Sequence, residues 1–240
     1  MTSYFTCFIA EIKSVFNSLK WYEKTYYFFA LFCLVLVTII FKGDYFPLFV
    51  SLCAITASIL NAKSFWYCFY FFAFTAFSYS FLAFENRFYG EFILNLFFLF
   101  PVYMRGIFRW RFKKNQQIIL EISDLSFKQM LLLVLLGVAV TGIYGYVLRQ
   151  IGSALPYFNA LATFACATAA ILATKRIIQQ WYFWFLYTFA LIVIWAYSLT
   201  SGTAQISFLI LNILFIGFNW IGYINWYRLK KYLSDAEVCK

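Results

Sequence analysis

Long uncharged runs, separated by short segments that carry the charged residues, divide the chain. A helix needs about 20 apolar residues to cross a bilayer core about 30 Å thick, so each run of this length predicts one membrane span. The runs that fit a single span are 25–41, 45–62, 64–84, 88–108, 129–148 and 150–174; in 88–108, Glu91 and Arg105 lie inside the two ends, near headgroup depth. In the last of these the helix should begin near Pro156, because proline suits a first turn. The run 177–227 is too long for one helix, and Thr200-Ser201-Gly202-Thr203 divides it, so the pattern predicts eight transmembrane helices.

The composition places most of the chain in lipid. Hydrophobic residues make up 65% of the 240 residues and charged residues only 12%, whereas a soluble domain carries about half apolar and a quarter charged residues. Histidine, the commonest general base and metal ligand, does not occur. The six cysteines have neither metal-site nor disulfide spacing. We therefore expect an all-α integral membrane protein that is not an enzyme and holds no cofactor and no metal.

The basic residues predict the orientation in the membrane. With a cytoplasmic N-terminus, 16 lysines and arginines fall on the inside and only three, Lys42, Arg87 and Arg149, on the outside. Loops rich in lysine and arginine stay in the cytoplasm, so both termini should be cytoplasmic. The net charge of +10 then reflects topology, and the basic cluster 105–114 should contact anionic membrane lipid rather than nucleic acid.

Two stretches of the chain repeat each other. Residues 56–63, TASILNAK, and residues 168–175, TAAILATK, are identical at five of eight positions and lie 112 residues apart. Each is followed by an aromatic helix with tryptophan and a mid-span threonine: Trp66 and Thr75 in the first half, and Trp181, Trp184 and Thr188 in the second. A duplication of three spans, with one span between the copies, gives parallel repeats of a kind found in secondary transporters.

The predicted fold class is therefore all-α, with two parallel three-helix repeats joined by a linker helix, a 3+1+3 plan, and one peripheral N-terminal helix. The predicted divisions are a cytoplasmic N-terminal segment 1–24, an extra transmembrane helix 25–42, the first repeat 45–108, a basic cytoplasmic loop 109–128, the linker helix 129–149, the second repeat 155–228 and a cytoplasmic tail 229–240. In transporters built this way the substrate site lies near the bilayer midplane, where the repeats face each other.

Aromatic and neutral polar side chains within the spans form the candidate binding site for a small molecule. Trp181 and Trp184 are three residues apart and share a helix face, which Thr188 continues one turn later. This face suits a flat heteroaromatic ring with a ribose, and a desolvated cationic ring on tryptophan gains about 2 kcal/mol. The other candidates are Asn95, Thr75, Tyr79, Asn212, Asn219 and Trp66. Two alternatives stay open: an interfacial aromatic belt for the tryptophans and interhelical hydrogen bonding for the amides.

No aspartate, glutamate, lysine, arginine or histidine lies at the middle of a predicted span. Proton-coupled transporters normally carry such a residue along the path. The pattern therefore favours passive facilitated diffusion by alternating access, although a sodium site made of backbone carbonyls would leave no mark in the sequence.

Three segments resemble the PnuC-type nicotinamide riboside transporters. Residues 155–161, LPYFNAL, are similar to the family's LPYxDAL segment, and residues 88–98 to its LYxxxxLQxFF segment. The family's RK…NWxxW…W pattern is similar to Thr174-Lys175-Arg176, the run QWYFW at 180–184, and Asn225-Trp226. The resemblance covers about Phe49 to Trp226, and the order of the segments agrees with the 3+1+3 plan.

The resemblance implies a SWEET-like fold, a homotrimer in the bacterial inner membrane, and uptake of nicotinamide riboside driven by its phosphorylation inside the cell. The chain departs from the family pattern at four positions: Thr75 and Thr188 stand where asparagine is frequent, Asn159 at the place of an aspartate, and Asn95 at that of a glutamine. Similar proteins take thiamine, riboflavin or deoxynucleosides, so these substrates, or a sugar, stay open as alternatives. A membrane-embedded lipid-modifying enzyme is a distant one.

Overall fold

Eight long helices dominate the computed structural model, which describes residues 16–85, 92–115, 122–200 and 206–238. They are α1 (Trp21–Ile40), α2 (Tyr45–Ala62), α3 (Cys68–Glu85), α4 (Phe100–Asn115), α5 (Phe127–Gln150), α6 (Pro156–Thr174), α7 (Gln180–Thr200) and α8 (Ile206–Val238). A π-helical segment, Leu94–Leu99, leads into α4. By length and composition, six of the helices, α1, α2 and α5 to α8, can cross a membrane. The predicted all-α membrane fold is confirmed.

The helix bounds differ from the predicted spans at several places. Helix α1 begins at Trp21 and not at Thr25, and α4 continues to Asn115, so the first part of the predicted basic loop 109–128 is helical. The third helix starts at Cys68 and not at Ser64, because the preceding residues form a turn. Helix α8 continues to Val238, well past the end of the uncharged run, so the basic end of the chain is helical. Residues 1–15 lie outside the described residues, as do residues 201–203 of the predicted break; Thr200, the first residue of that break, is the last residue of α7.

The entry into α4 is shaped by Pro101. Proline has no backbone N–H, and its ring crowds the turn that precedes it. The segment immediately before it, Leu94–Leu99, forms wide π turns, and regular α-helix resumes at Phe100. The π segment carries Asn95 into the protein interior, where this side chain is 7% exposed.

The first helix of each repeat ends in the same turn. Ser64 after α2 and Arg176 after α6 both have left-handed backbone, with φ of 59° and 57°. In both turns the next residue donates its N–H to a leucine oxygen five residues back, at 3.0 Å: Phe65 to Leu60 and Ile177 to Leu172. The two turns are 112 residues apart, the offset of the sequence repeat. The predicted duplication therefore extends to backbone geometry.

The two repeats interlock through their third helices. Helix α8 of the second repeat packs against α2 of the first, and α4 of the first packs against α6 of the second. Neighbouring helices approach α6 closely, because the side chains of Ala160, Ala165 and Ala169 are small. All three residues are fully buried in these contacts. The linker helix α5 packs on α6 and presents most of its other side chains outward. This arrangement leaves a space between the repeats.

Helix α1 lies outside the repeats and packs against α2 and α8. The Tyr26 hydroxyl donates to the Leu214 backbone oxygen at 2.8 Å, and the Tyr27 hydroxyl lies 3.0 Å from Oγ1 of Thr56. The face of α1 opposite these contacts is exposed, as expected for a peripheral helix.

A buried carboxylate fixes the start of α1 to both repeats. Glu23 has no exposed surface, and its Oε2 lies 2.6 Å from Nζ of Lys63, at the end of α2. Asn225 of α8 donates to the other oxygen at 2.7 Å, and the Lys20 backbone N–H to Oε2 at 2.7 Å. The peripheral helix is therefore held by a three-way contact and not only by apolar packing.

Candidate functional site

A cavity of about 790 Å³ lies between the two repeats, with walls from α2 to α8 and from the loop 151–155. At one end, Gly152 and Ala154 of this loop are exposed to solvent. At the other end, Asn61 and Trp181 are only 1% and 2% exposed. The cavity is therefore open where α2 and α6 begin and closed where they end. Its volume falls in the range of about 300–1,000 Å³ that is usual for small-molecule sites.

The structure brings eight of the nine sequence-predicted site residues to the wall of this cavity. They are Thr75, Tyr79, Asn95, Trp181, Trp184, Thr188, Asn212 and Asn219. They come from α3, the π segment, α7 and α8, so residues far apart in sequence meet where the repeats face each other.

Trp66 is not among the residues that line the cavity. It lies in the turn before α3, stacked on Tyr67 with ring centroids 4.2 Å apart. The Arg111 guanidinium lies 5.8 Å from its ring. The left-handed turn at Ser64 shifts the start of α3 and leaves Trp66 outside the helix that contributes Thr75.

Aromatic rings from both repeats stack along one wall. Trp184 of α7 and Phe72 of α3 are 112 residues apart in sequence, and their rings lie nearly parallel, with centroids 6.1 Å apart and a 13° angle between planes. Phe72 also stacks on Tyr103 of α4, at 5.0 Å and 20°. Tyr187 meets the Trp184 ring edge-on at 6.0 Å. These rings give the cavity a flat apolar surface.

Trp181 is held rigidly at the closed end of the cavity. Its indole packs against the backbone of Gly222, so closely that a Cβ there would overlap the ring. It also meets the Trp226 ring edge-on, with centroids 6.0 Å apart. An interfacial belt residue faces the membrane surface, whereas Trp181 is only 2% exposed.

The polar groups of the wall are partly paired with each other. Asn219 of α8 donates to the Thr188 hydroxyl of α7 at 3.0 Å, the interhelical bond that was the alternative reading of these amides. Asn212 donates to its own helix, at the Phe208 oxygen 2.8 Å away, and its Oδ1 has no partner. The Thr75 hydroxyl and the indole nitrogen of Trp184 are also buried without a partner. Buried polar groups are normally hydrogen-bonded, so these atoms are available to a ligand.

Two further amides meet at the closed end of the cavity, and neither figures among the sequence-predicted site residues; Gln180 is not among the residues that line the cavity. Asn61, at the end of α2, lines the cavity, and its Nδ2 donates to Oε1 of Gln180 at 3.3 Å. Gln180 is the first residue of α7 and has no exposed surface. We call this pair the floor amides. Their contact joins positions 119 residues apart. In the sequence, Asn61 belongs to the repeated stretch 56–63 and Gln180 to the run QWYFW at 180–184.

Asn159 stabilises the loop at the open end. Its Nδ2 donates to the Ala154 oxygen at 2.7 Å and to the Leu155 oxygen at 3.3 Å. Leu155 has left-handed backbone, with φ of 49°, directly before Pro156 starts α6. An amide donor is needed here, and a carboxylate could not supply it.

Beyond the floor, the cavity is closed by a layer of Trp110, Arg176 and Trp226. The Trp110 indole of α4 donates to the Thr174 oxygen at the end of α6, at 3.1 Å. The Trp226 indole of α8 donates to the Asn61 oxygen at the end of α2, at 2.8 Å. Each bond joins the third helix of one repeat to the first helix of the other, so the closing layer follows the internal symmetry of the fold.

Arg176 lies at the centre of the closing layer. Its guanidinium carbon lies 4.6 Å from the Trp110 ring and 5.6 Å from the Trp226 ring, within the range of cation–π attraction. Burial lowers the pKa of Arg176 to about 10, so the group stays charged at neutral pH. The closing layer therefore contains a cation between two indole faces.

The cavity wall itself carries no charge among the described residues: no lysine, arginine, aspartate or glutamate lines it. Within the same part of the chain, no group of histidine, cysteine, aspartate and glutamate residues could hold a metal ion. The site can therefore stack and hydrogen-bond a neutral or weakly charged molecule.

Comparison with known proteins identifies the family. The model of the nicotinamide mononucleotide transporter family matches residues 44–228. The chain belongs to this family. Its members are transporters and not enzymes, which confirms the resemblance seen in the sequence and the expectation that the protein is not an enzyme.

A curated relative and a solved structure extend the comparison. The nicotinamide riboside transporter PnuC of Neisseria mucosa is 28% identical over 159 residues, which cover 64% of this chain and 60% of that protein. The chain thus matches less than two thirds of this relative's length. The crystal structure of the vitamin B3 transporter PnuC is similar with a TM-score of 0.75 at 21% identity, covering 90% of this chain and 94% of that one. This likeness shows that the two proteins share their fold.

Proposed function

We propose that the protein is a uniporter for nicotinamide riboside, which it moves by alternating access at the cavity between the repeats. The observation that carries the proposal is a cavity wall of aromatic rings and uncharged hydrogen-bonding groups in a member of this transporter family. Nicotinamide riboside combines a flat cationic ring with a neutral ribose. Aromatic faces attract the ring, and amides and hydroxyls bind the ribose.

The uncharged wall favours the riboside over the mononucleotide that gives the family its name. Phosphate is usually bound by arginine or lysine through charge-assisted hydrogen bonds. The described residues of the cavity wall include neither. The relative from Neisseria mucosa also carries the name of a riboside transporter.

The basic residues support an outward-facing cavity in the bacterial inner membrane. With the termini in the cytoplasm, 16 of the 19 lysines and arginines lie inside, as the positive-inside rule requires. Helices α2 and α6 then start at the outer surface, so the open end of the cavity faces out and the closing layer faces the cytoplasm. Transport requires the closing layer to separate while the outer end closes.

The uncharged wall supports passive transport. The described lining residues include no aspartate, glutamate, lysine, arginine or histidine, and proton-coupled carriers normally use such a group along the path. Net uptake then depends on removal of the riboside inside the cell, by phosphorylation.

We further propose that the protein is a homotrimer surrounded by lipid. Helix α5 supports this, because Leu132, Val138 and Ile143 are 66%, 69% and 71% exposed. This apolar face suits either a second subunit or the lipid chains.

Uptake by purified protein in liposomes tests the proposal. Labelled nicotinamide riboside should enter until the concentrations are equal, and unlabelled riboside inside should accelerate the exchange. Collapsing a proton or sodium gradient should leave the rate unchanged. Thiamine, riboflavin, thymidine, a sugar and nicotinamide mononucleotide serve as competitors.

Competition by thiamine, riboflavin, thymidine or the sugar, with none by the riboside, would contradict the substrate assignment and leave a carrier for that compound. Accumulation above equilibrium that disappears with the ion gradient would contradict the passive mechanism.

A further inference from the structure

We propose that Arg176 binds a phosphate group from the cytoplasmic side, within the closing layer, and that this anion lets a cationic substrate leave through the layer. The inference rests on the proposed function for the charge of the substrate and for the side of the membrane. It adds a second ligand, which is not transported, at a site outside the cavity and beyond the floor amides.

Arg176 is a buried cation without an anionic partner. The residue is 6% exposed, and no described carboxylate forms an ion pair with it. Glu23 and Asp124, which lie at the same end of the molecule, are paired with Lys63 and Lys230. A buried charge without a counter-charge is costly. The closing layer therefore carries a positive charge that a bound anion would neutralise.

The two indole contacts give Arg176 no hydrogen-bond acceptor. The rings of Trp110 and Trp226 lie 4.6 and 5.6 Å from the guanidinium carbon, but no hydrogen bond joins the guanidinium to a described residue, and its Nε is buried without a partner. A guanidinium carries five N–H groups in one plane. This fork matches the oxygens of a phosphate group, which it binds through short, charge-assisted hydrogen bonds.

Ser64 offers a second donor beside the same indole. It occupies the position in the first turn that Arg176 occupies in the second. The Ser64 backbone N–H donates at 2.9 Å to the Asn61 oxygen that also accepts the Trp226 indole bond. The Ser64 hydroxyl is buried without a partner. A guanidinium and a hydroxyl, one from each repeat, therefore border the Trp226 ring with unused donors.

Arg176 does not line the cavity, so its charge acts on the exit of the substrate and not on its binding at the cavity wall. Nicotinamide riboside is a cation and must pass the closing layer to reach the cytoplasm. Two unit charges within about 8 Å of each other inside a protein repel strongly enough to change a rate more than about tenfold. An anion bound to Arg176 cancels this repulsion.

Thermal unfolding of the purified full-length protein tests the binding of inorganic phosphate, with gluconate keeping the ionic strength constant. The melting temperature of the unmodified protein should rise and saturate as phosphate is added, and Arg176→Gln should abolish the saturable part. Phosphate also stabilises proteins by exclusion from their surface, an effect that all variants share. Lys175→Gln removes the neighbouring, exposed charge and is the matched control. Ser64→Ala should weaken phosphate binding about fivefold.

Exchange of labelled nicotinamide riboside across phosphatidylcholine liposomes tests the role in release. Phosphate should accelerate exchange by the unmodified protein and by Lys175→Gln about tenfold. Arg176→Gln should exchange at the accelerated rate without phosphate and show no further response. Liposomes that contain phosphatidylglycerol, without phosphate in the buffer, distinguish the source of the group: acceleration by this lipid alone would assign the site to a lipid headgroup.

An equal saturable response to phosphate in Arg176→Gln and the unmodified protein would overturn the proposal. If Arg176→Gln does not fold, the absence of any saturable response to phosphate or phosphatidylglycerol in the unmodified protein would overturn it. Phosphate that binds at Arg176 and leaves the exchange rate unchanged would overturn the role in release. Failure of the riboside to exchange under any condition would instead contradict the proposed function, and the thermal test of the anion site would stand.

Discussion

At the level of single side chains, the cavity wall contains polar atoms that are buried and have no hydrogen-bond partner in the protein. Thr75 Oγ1, Asn212 Oδ1 and the Trp184 indole nitrogen are buried and unpartnered, although the cost of such atoms in a membrane protein is high. A protein keeps them where a ligand completes their hydrogen bonds. Their position beside stacked rings from both repeats supports the proposal that this wall contacts the ligand.

Replacing Trp184 with alanine should weaken nicotinamide riboside binding by about 30-fold or more. The indole face supplies cation–π attraction of about 2 kcal/mol to a desolvated cationic ring, and each 1.4 kcal/mol corresponds to a factor of ten. Calorimetric titration measures the change. Trp220→Ala is the matched control, because Trp220 is 57% exposed and does not line the cavity. Equal affinities of the two variants would show that Trp184 does not contact the ligand.

Several residues of the cavity wall could be predicted from sequence, because a neutral polar residue or a tryptophan inside an apolar span is conspicuous. Trp184, Thr188 and Asn219 were found in this way. Asn61 and Gln180 were not, since their contact spans 119 residues and each stands at a helix end, where a polar residue needs no explanation. Trp66 could not be excluded, because an uncharged run does not reveal the turn that removes it from α3.

At the level of the helices, two close approaches fix the site. Small residues on α6 let α5 and α7 come near, and Gly222 of α8 lets the Trp181 ring lie directly on its backbone. These contacts explain why Trp181 cannot move away from the floor. The bounds of the spans follow from charge, but this packing depends on which small residue faces which ring, and a single sequence does not show that.

Gly222→Ala should lower the melting temperature of the purified protein and weaken riboside binding. The added Cβ would overlap the Trp181 ring, and overpacking of this kind costs about 1–3 kcal/mol. Gly142→Ala on α5 is the matched control, since its Cβ would meet nothing within 4 Å. Alanine is the better helix former by about 1 kcal/mol, so the control should keep or raise the melting temperature. A loss of stability in both variants would assign the effect to helix backbone and not to Trp181.

Glu23→Ala should detach the start of α1 and lower the melting temperature markedly. The change leaves the Lys63 ammonium, 12% exposed, without its carboxylate, and breaking a buried ion pair by removing one partner costs about 3–5 kcal/mol. Asp124→Asn is the matched control, because it removes one charge from the ion pair between Asp124 and Lys230. The side chains of these two residues are 42% and 38% exposed. That exposed pair should contribute less than about 1 kcal/mol. Thermal unfolding in detergent compares the two, and equal shifts would contradict the anchoring role of Glu23.

For the whole molecule, internal symmetry connects the fold to a transport mechanism. The same left-handed turn closes α2 and α6, and the two indole bonds of the closing layer join each of these helix ends to the opposite repeat. The layer is therefore a contact between repeats, which rocking of one against the other would separate. The duplication could be predicted from the sequence, but the closing layer could not, because Trp110 and Trp226 lie outside the repeated octapeptide.

Weakening the closing layer should expose the cavity from the cytoplasmic side. Trp110→Phe keeps an aromatic face for Arg176 but removes the indole bond to the Thr174 oxygen, and a hydrogen bond of this kind contributes about 1 kcal/mol, or about a fivefold change in population.

Cys166, which lines the cavity at 5% exposure, can report the change when the other five cysteines are replaced by alanine. An impermeant thiol reagent applied to inside-out vesicles should then modify Cys166 about fivefold faster than in the parent, and faster still with Trp226→Phe added. Trp220→Phe, on an exposed surface of α8, should leave the rate unchanged. The substitutions can change the rate only if the closing layer separates when the cavity opens inward. An unchanged rate in the double variant would therefore mean that the cavity opens inward along another route.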